Sequence, residues 1–443
     1  MSIFNYIKRK LAASDDGPNI KFGRHVISMK EHEEQLFLGE AIRMYEEDQL
    51  LTSIEYLLNY LRNDLEDNVA YDVQGEELFF ELFQGSNKIQ GRCNQEKFVA
   101  ISEIGQISNS NIGLYRKLLE QNYRLKYSRY SIDGDKIKIK FDSFTMDASP
   151  QKIFYALKEM ALNGDKYDDL FADEFKELKN TLTGRITNLD KRTKKVKEAF
   201  LRNEIQKTLN RVSKVREVDQ TSVAIKSYYL LYCNYKLDYL IKPEGYVMEI
   251  LERNHREYFE NNSQSAIQKY EEIQRNFKLI LERTSEQLGE EFYQTCHTFN
   301  YTKTASHHEL KALIERELPK ATMYYSQGKR DISVAVCGYI ASYSLFHFSL
   351  PTPDINLLDL LIRVIEDDYF ISLGFTPKYQ ESGIPIQAIV EKKIETIEEE
   401  NKLNHPYLSI DYSTIGYTDL ASFSISFIQM MLTFEIYSHK QLI

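Results

Sequence analysis

The sequence predicts an α+β fold followed by a mainly α-helical region, and three observations carry that prediction. The spacing of apolar residues changes from helical to alternating and back between residues 37 and 180. Asp133-Gly134 joins two alternating runs as a short hairpin. Beyond residue 217 the apolar residues recur almost entirely at helical spacing, with prolines between the runs. The chain is divided accordingly into an arm at 1–36, an α+β domain at 37–182, a basic connector helix at 183–217 and a helical domain at 218–443. A length of 443 residues exceeds one typical core, so more than one domain is expected.

The arm carries the turn signal Asp15-Asp16-Gly17-Pro18 and is read as loose or docked. A helix over 37–62 follows from Leu38, Ile42, Tyr45, Leu50, Ile54, Leu57, Leu58 and Leu61. Val69, Tyr71 and Val73 alternate, Gly75 marks a turn, and Leu78 to Phe83 is dense in β-favouring residues. Gly85 marks a second turn, and Phe98 to Ser102 reads as a further strand. A helix over 110–125 precedes strands at 127–132 and 136–142. In the second strand Ile137, Ile139 and Phe141 alternate with Lys136, Lys138 and Lys140. Ser149 and Pro150 fit the N-cap and first position of a helix, which Asn163-Gly164-Asp165 is expected to end. A separate helix is expected over 166–180, capped by Asp165.

Residues 185–216 hold eleven Lys or Arg against three acids, a local charge of +8 that leaves about −18 on the remainder. Val196, Leu201, Ile205, Leu209, Val212 and Val215 give this segment an apolar stripe. Helices are then expected at about 220–241, 245–261, 264–296, 306–327, 331–350, 354–373, 385–402 and 417–438, punctuated by Pro243, Pro319, Pro351, Pro353, Pro377, Pro385 and Pro406. No fixed-period repeat supports a solenoid.

Three stretches carry a family resemblance: Gly113-Leu-Tyr-Arg-Lys-Leu-Leu-Glu-Gln-Asn-Tyr-Arg-Leu125, the hairpin from Tyr130 to Ile139, and Ala161 to Asp169. Their order and wording resemble the bacterial YbjN-like family, which shares the type III secretion chaperone-like fold, over roughly residues 40–180. The resemblance implies an α/β sandwich, an antiparallel sheet with flanking helices, that binds other proteins and needs no cofactor. Two features depart from it. Type III secretion chaperones are short acidic dimers, and this chain adds a long helical half, so a role in secretion does not follow from the fold.

Composition narrows the function classes. A net charge of −10 argues against nucleic acid as a partner of the whole surface. Cys93, Cys233, Cys296 and Cys337 are far apart, without metal-site or disulfide-framework spacing, and a cytoplasmic location with free thiols fits them. The N-terminus lacks the apolar run of a secretory signal. Ile332 to Pro353 contains no Asp, Glu, Lys or Arg, but its serines, tyrosines and closing prolines fit a buried helix better than a membrane span. Tyr and Phe number 31 and 24 with no Trp, so many half-buried helix faces with hydroxyls needing partners are expected.

No catalytic, cofactor or metal constellation emerges. Asp165, Asp168, Asp169, Asp173 and Glu174 lack the alternation and glycine of a calcium loop and are read as helix-start acids. Cys296-His297 and His307-His308-Glu309 lack metal-ligand spacing and are read as packed or solvated. His347 is read as a core histidine, and Glu366-Asp367-Asp368 as a solvated helix end. There is no Gly-rich phosphate loop, nucleophile elbow or dinucleotide fingerprint. Lys191, Arg192, Lys194 and Lys195 form the densest basic stretch, read as a solvated face with partner contact as the alternative. The expected function is a non-enzymatic, chaperone-like or adaptor module with a protein partner or self-association. An enzyme with a pocket in the helical half, and a nucleic-acid protein acting through 185–216, are the alternatives.

Overall fold

The computed structural model describes residues 17–23, 32–63, 66–181, 184–216, 220–260, 264–299 and 303–436. The expected helix at 37–62 is two helices, α1 (His32–Glu46) and α2 (Leu50–Leu61). Asp48 turns the chain between them with φ 57°, a region Asp enters more readily than most residues. Ser53 Oγ donates to the Ala41 carbonyl at 2.7 Å, tying the pair together. The apolar spacing continues across the break, which hides it from periodicity.

A seven-stranded antiparallel sheet follows: β1 (Val69–Gln74), β2 (Glu77–Gln84), β3 (Asn87–Cys93), β4 (Lys97–Ile107), β5 (Arg129–Asp133), β6 (Lys136–Phe144) and β7 (Leu178–Asn180). Their order is β1-β2-β3-β4-β6-β5, with β7 alongside the end of β4. Strand β3 was not expected, because its outward residues are polar and Gly91 sits in its middle. That glycine leaves room for the Phe80 ring, which would meet any Cβ there. The hairpin β5–β6 turns at Asp133-Gly134 as expected. Lys136 and Lys138 face outward and pair with Glu103 and Asp133. Helix α3 (Ile112–Arg124) bridges β4 and β5.

Helix α4 (Pro150–Glu174) lies across the sheet. Ser149 caps it as expected, its hydroxyl accepting from the Lys152 amide at 3.3 Å. Asn163-Gly164-Asp165 does not end it, and the separate helix at 166–180 is not formed. Packing overrides the local breaker: Asp165 is buried and accepts from the Ser86 amide at 3.1 Å across the β2–β3 turn. Gly85 in that turn has φ +55°, and a Cβ on it would overlap the Asp165 carboxylate.

The basic segment folds as α5 (Lys191–Lys214), whose Leu201, Ile205 and Val212 belong to the helical core. That core continues through α6 (Gln220–Ile241), α7 (Gly245–Phe259), α8 (Ala266–Glu282), α9 (Ser285–Glu290), α10 (His307–Ser326), α11 (Arg330–His347), α12 (Thr352–Ile365), α13 (Asp367–Leu373), α14 (Gln387–Asn401) and α15 (Leu420–Met430). Two expected helices are broken. The one at 264–296 stops at Arg283, where Thr284 starts α9 with a capping box. The one at 354–373 bends at Glu366. Pro319 lies inside α10 rather than ending a helix. Helix α11, the uncharged run, is buried among the other helices, and no described helix is long and apolar enough to cross a membrane.

The two halves are joined by the segment Phe292 to Phe299, buried along its whole length. Gln84, at the end of β2, uses its side-chain amide as a peptide group would. Its Oε1 accepts from the Thr298 and Phe299 amides at 3.0 and 2.9 Å, and its Nε2 donates to the Phe299 carbonyl at 3.3 Å. The Gly85 amide donates to the Cys296 carbonyl at 2.9 Å, and Thr298 Oγ1 donates to the Phe83 carbonyl at 2.7 Å. Phe299 then enters the core of the α+β half, edge-on to Phe154 at 5.5 Å. Of the expected arm, residues 17–23 dock on the helical half. Phe22 packs among Tyr239, Phe370 and Phe375, and Gly23 donates to the Tyr239 carbonyl.

Gln84→Ala should therefore leave two buried amides unpaired and cost about 3 kcal/mol. The urea midpoint at unchanged slope measures it; a midpoint within error of wild type would show that the seam does not depend on this side chain.

Candidate interaction face

Helix α3 has two apolar faces. Leu114, Leu118 and Gln121 point into the α+β half and are buried. Ile112, Leu119 and Tyr123 point the other way and are 70%, 69% and 92% exposed. Positions i, i+7 and i+11 fall within about 20° of one line along a helix. Asn111 fixes the start of the helix by accepting from the Leu114 amide at 3.1 Å. Glu159 on α4 fixes the chain beyond its end, accepting from the amides of Lys126, Tyr127 and Ser128 at 2.7 to 2.9 Å. The exposed stripe thus sits on a helix held at both ends. Isolated exposed apolar residues are ordinary, whereas three in line on one helix face form a continuous surface. Part of the signal was in the sequence, because Ile112, Leu114, Tyr115, Leu118, Leu119 and Tyr123 are too many apolar positions for one buried face.

The basic quartet is split by its packing. Lys191 and Lys195 are exposed, Arg192 reaches the Ser372 carbonyl at 3.5 Å, and Lys194 donates to the Gly289 carbonyl. The first amides of α5 are taken by Asp190, which accepts from Arg192 and Thr193 at 2.8 and 3.0 Å. Farther along, Lys197 is wholly buried and donates to the Ile241 carbonyl at 2.7 Å, and burial pulls its amine down to about 7. Arg202 donates to the carbonyls of Leu281 and Arg283.

Of the expected solvated acids at 366–368 only Asp368 is exposed; Glu366 and Asp367 are corrections. Glu366 accepts from Lys236 at 2.8 Å and from Tyr232 at 2.9 Å. Buried Asp367 accepts from the Tyr379 amide at 2.8 Å. Lys236 also donates to Glu204 at 2.5 Å, and its ammonium lies 4.6 Å from the Tyr232 ring centre. Gly338 on α11 makes room for that ring, which would meet any Cβ there at 2.4 Å. Sequence reading missed this group because its members lie far apart in the chain, at positions 204 and 236 on two helices and at 366 in the bend between two more.

The histidines are built into packing as well. His307 is buried between Asp354, 2.8 Å from Nδ1, and the Phe434 carbonyl, 3.0 Å from Nε2. The carbonyl only accepts, so Nε2 carries a proton, and a second proton lies between ring and carboxyl. Ser306 and Glu309 form a capping box at the start of the same helix. His347 is half buried and stacks on Tyr343 at 5.1 Å. His255 shares a 2.8 Å hydrogen bond with the Tyr235 hydroxyl and lies beside Phe346 and His347. An open depression on α7 is lined by Glu249, Arg253, His255, Arg256, Glu257, Phe259 and Glu260. Glu249 in it is paired with Lys166 and Arg256. Among the described residues no group of three metal-ligating side chains converges. All four cysteines are free and buried; burial pushes Cys93 and Cys296 up to about 11 and Cys233 up to about 12, so none is poised as a thiolate.

No protein-family model matches the chain, and no curated protein matches it.

One pH dependence follows from His255. Burial, then the neighbouring His347 and Arg256, bring its imidazole from the ordinary 6.5 down to about 4. The unfolded chain takes up this proton first as pH falls. The contribution of His255 is complete above pH 6.5 and is lost between 6.5 and about 4, a difference of about 3 kcal/mol. Between pH 6.5 and about 4 the urea midpoint of wild type should fall relative to that of His255→Phe; parallel curves would exclude a buried neutral His255.

Proposed function

We propose that this protein is a non-enzymatic binding module, chaperone-like or adaptor in character, which engages a protein partner through the outer face of α3. The observation that carries this is the line of Ile112, Leu119 and Tyr123 on a helix whose other face is already packed. Burying such a stripe removes large apolar side chains from water, each worth about 1.5–3 kcal/mol when fully covered. Helix-on-helix docking reads residues at this spacing. The YbjN-like resemblance of residues 40–180 supports the same reading, because the stretch that begins it, Gly113 to Leu125, is α3 itself. His255, His307, Glu366 and Asp367 are held by internal partners, which favours binding over chemistry.

The test is a pull-down of the tagged full chain from its source organism, after nuclease treatment, with wild type beside Leu119→Glu/Tyr123→Ser. Both substitutions lie on the surface and should move stability by no more than about 0.5 kcal/mol. The reading predicts a stoichiometric protein, or a second copy, that co-elutes with wild type and is lost at least about 10-fold with the variant. Equal recovery with both proteins would place the binding elsewhere.

A further inference from the structure

We infer that the partner presents an acidic amphipathic helix to α3, an inference that rests on reading α3 as the binding face. Charge around the stripe carries it. Residues 108–130 hold five basic side chains (Arg116, Lys117, Arg124, Lys126, Arg129) and one acid, Glu120, a local charge of +4. The remainder of the chain carries about −14, from −10 overall less this +4. The stripe therefore lies in one of two basic stretches, the other being 185–216, of an acidic chain. Arg116 stands about 40° round the helix from the stripe. Arg116, Lys126 and Arg129 are exposed and form no ion pair among the described residues. Glu120 is bound to Arg124 at 2.6 Å. The acids that other elements bring to the patch are engaged as well: Glu159 by the amides of Lys126, Tyr127 and Ser128, and Glu177 by Asn111 at 3.2 Å. Lys117 stands 3.9 Å from Glu174, a loose contact.

An occupant must cover aliphatic and aromatic side chains at helical spacing and place carboxylates at the basic rim. An acidic amphipathic helix meets both requirements. A basic helix would be repelled at the rim. Single-stranded RNA would meet the charge but not the stripe, since two of its three side chains, Ile112 and Leu119, are aliphatic and offer no ring for base stacking.

The experiment uses the full chain and three labelled probes. They are an amphipathic helical peptide of about five turns with Leu on one face and Glu on the other, the same peptide with Lys for Glu, and an oligouridylate. The acidic peptide should bind at least about 10-fold more tightly than the basic one, and raising salt from about 0.1 to 0.5 M should weaken it. Arg116→Glu and Leu119→Glu should each reduce its binding. Equal binding of both peptides, binding of neither, or tighter binding of the oligouridylate would overturn the inference. A photo-crosslinking residue at Tyr123 separates the two levels. A captured protein segment that is not acidic overturns the charge inference and leaves α3 as the binding face. No capture in the source lysate removes the face and the inference together.

Discussion

A buried backbone must have its hydrogen bonds made, and the segment Phe292 to Phe299 is where that constraint shapes this molecule. It runs from the helical core, to which Phe292 belongs, into the core of the α+β half, to which Phe299 belongs. Residues 293–294 pair with 187–188, and the large sheet supplies the partners of the rest: the Gln84 side chain, the Gly85 amide and the Phe83 carbonyl. The turn that carries Gly85 is in turn held by Asp165 from the middle of α4. A helix breaker in the sequence is thus a structural tie, and α4 runs unbroken because Asp165 is needed inward. Lys166 extends the tie to Glu249 and Glu252 on the helical side. The halves share one buried seam, with Phe299 as a core residue of the half to which its chain does not otherwise belong.

The interior of the helical half holds many polar groups, and several of them are matched to each other. Lys236 sits between Glu204 and Glu366, Tyr228 donates to Glu317 at 2.5 Å, and Asn234, Asn254 and Asn276 form a chain of amide bonds. Such networks stabilise only when every member is satisfied, and removing one partner costs more than the pair contributes. They explain why tyrosine is abundant: its ring fills the core and its hydroxyl closes the network. The surface of α3 has the opposite character, with apolar side chains in water and, among the described residues, no ion pair to Arg116.

Much of the architecture was legible in the sequence because it rests on periodicity and turn chemistry. The Asp133-Gly134 hairpin, the Ser149-Pro150 helix start and most of the later helices follow from local rules. What was hidden depends on contacts distant in sequence. Strand β3 is specified by its neighbours rather than by its own polar composition. Asp165 looked like a cap and is a buried acceptor; Glu366 looked solvated and is part of an ion cluster. Lys197 sits on the inner face of a helix whose charge pointed outward. The stripe on α3 was half visible, as an excess of apolar positions, but only the packing shows which of them are spare.

Because the Phe292–Phe299 seam takes its hydrogen bonds from the sheet and places Phe299 in the α+β core, the two halves are expected to unfold as one body. Native-state hydrogen exchange of the Thr298 and Phe299 amides tests it most directly. Protection equal to that of the central strands and of α11 is the predicted result. Exchange of these two amides far faster than both cores would mean that the halves part while each stays folded, and would contradict it.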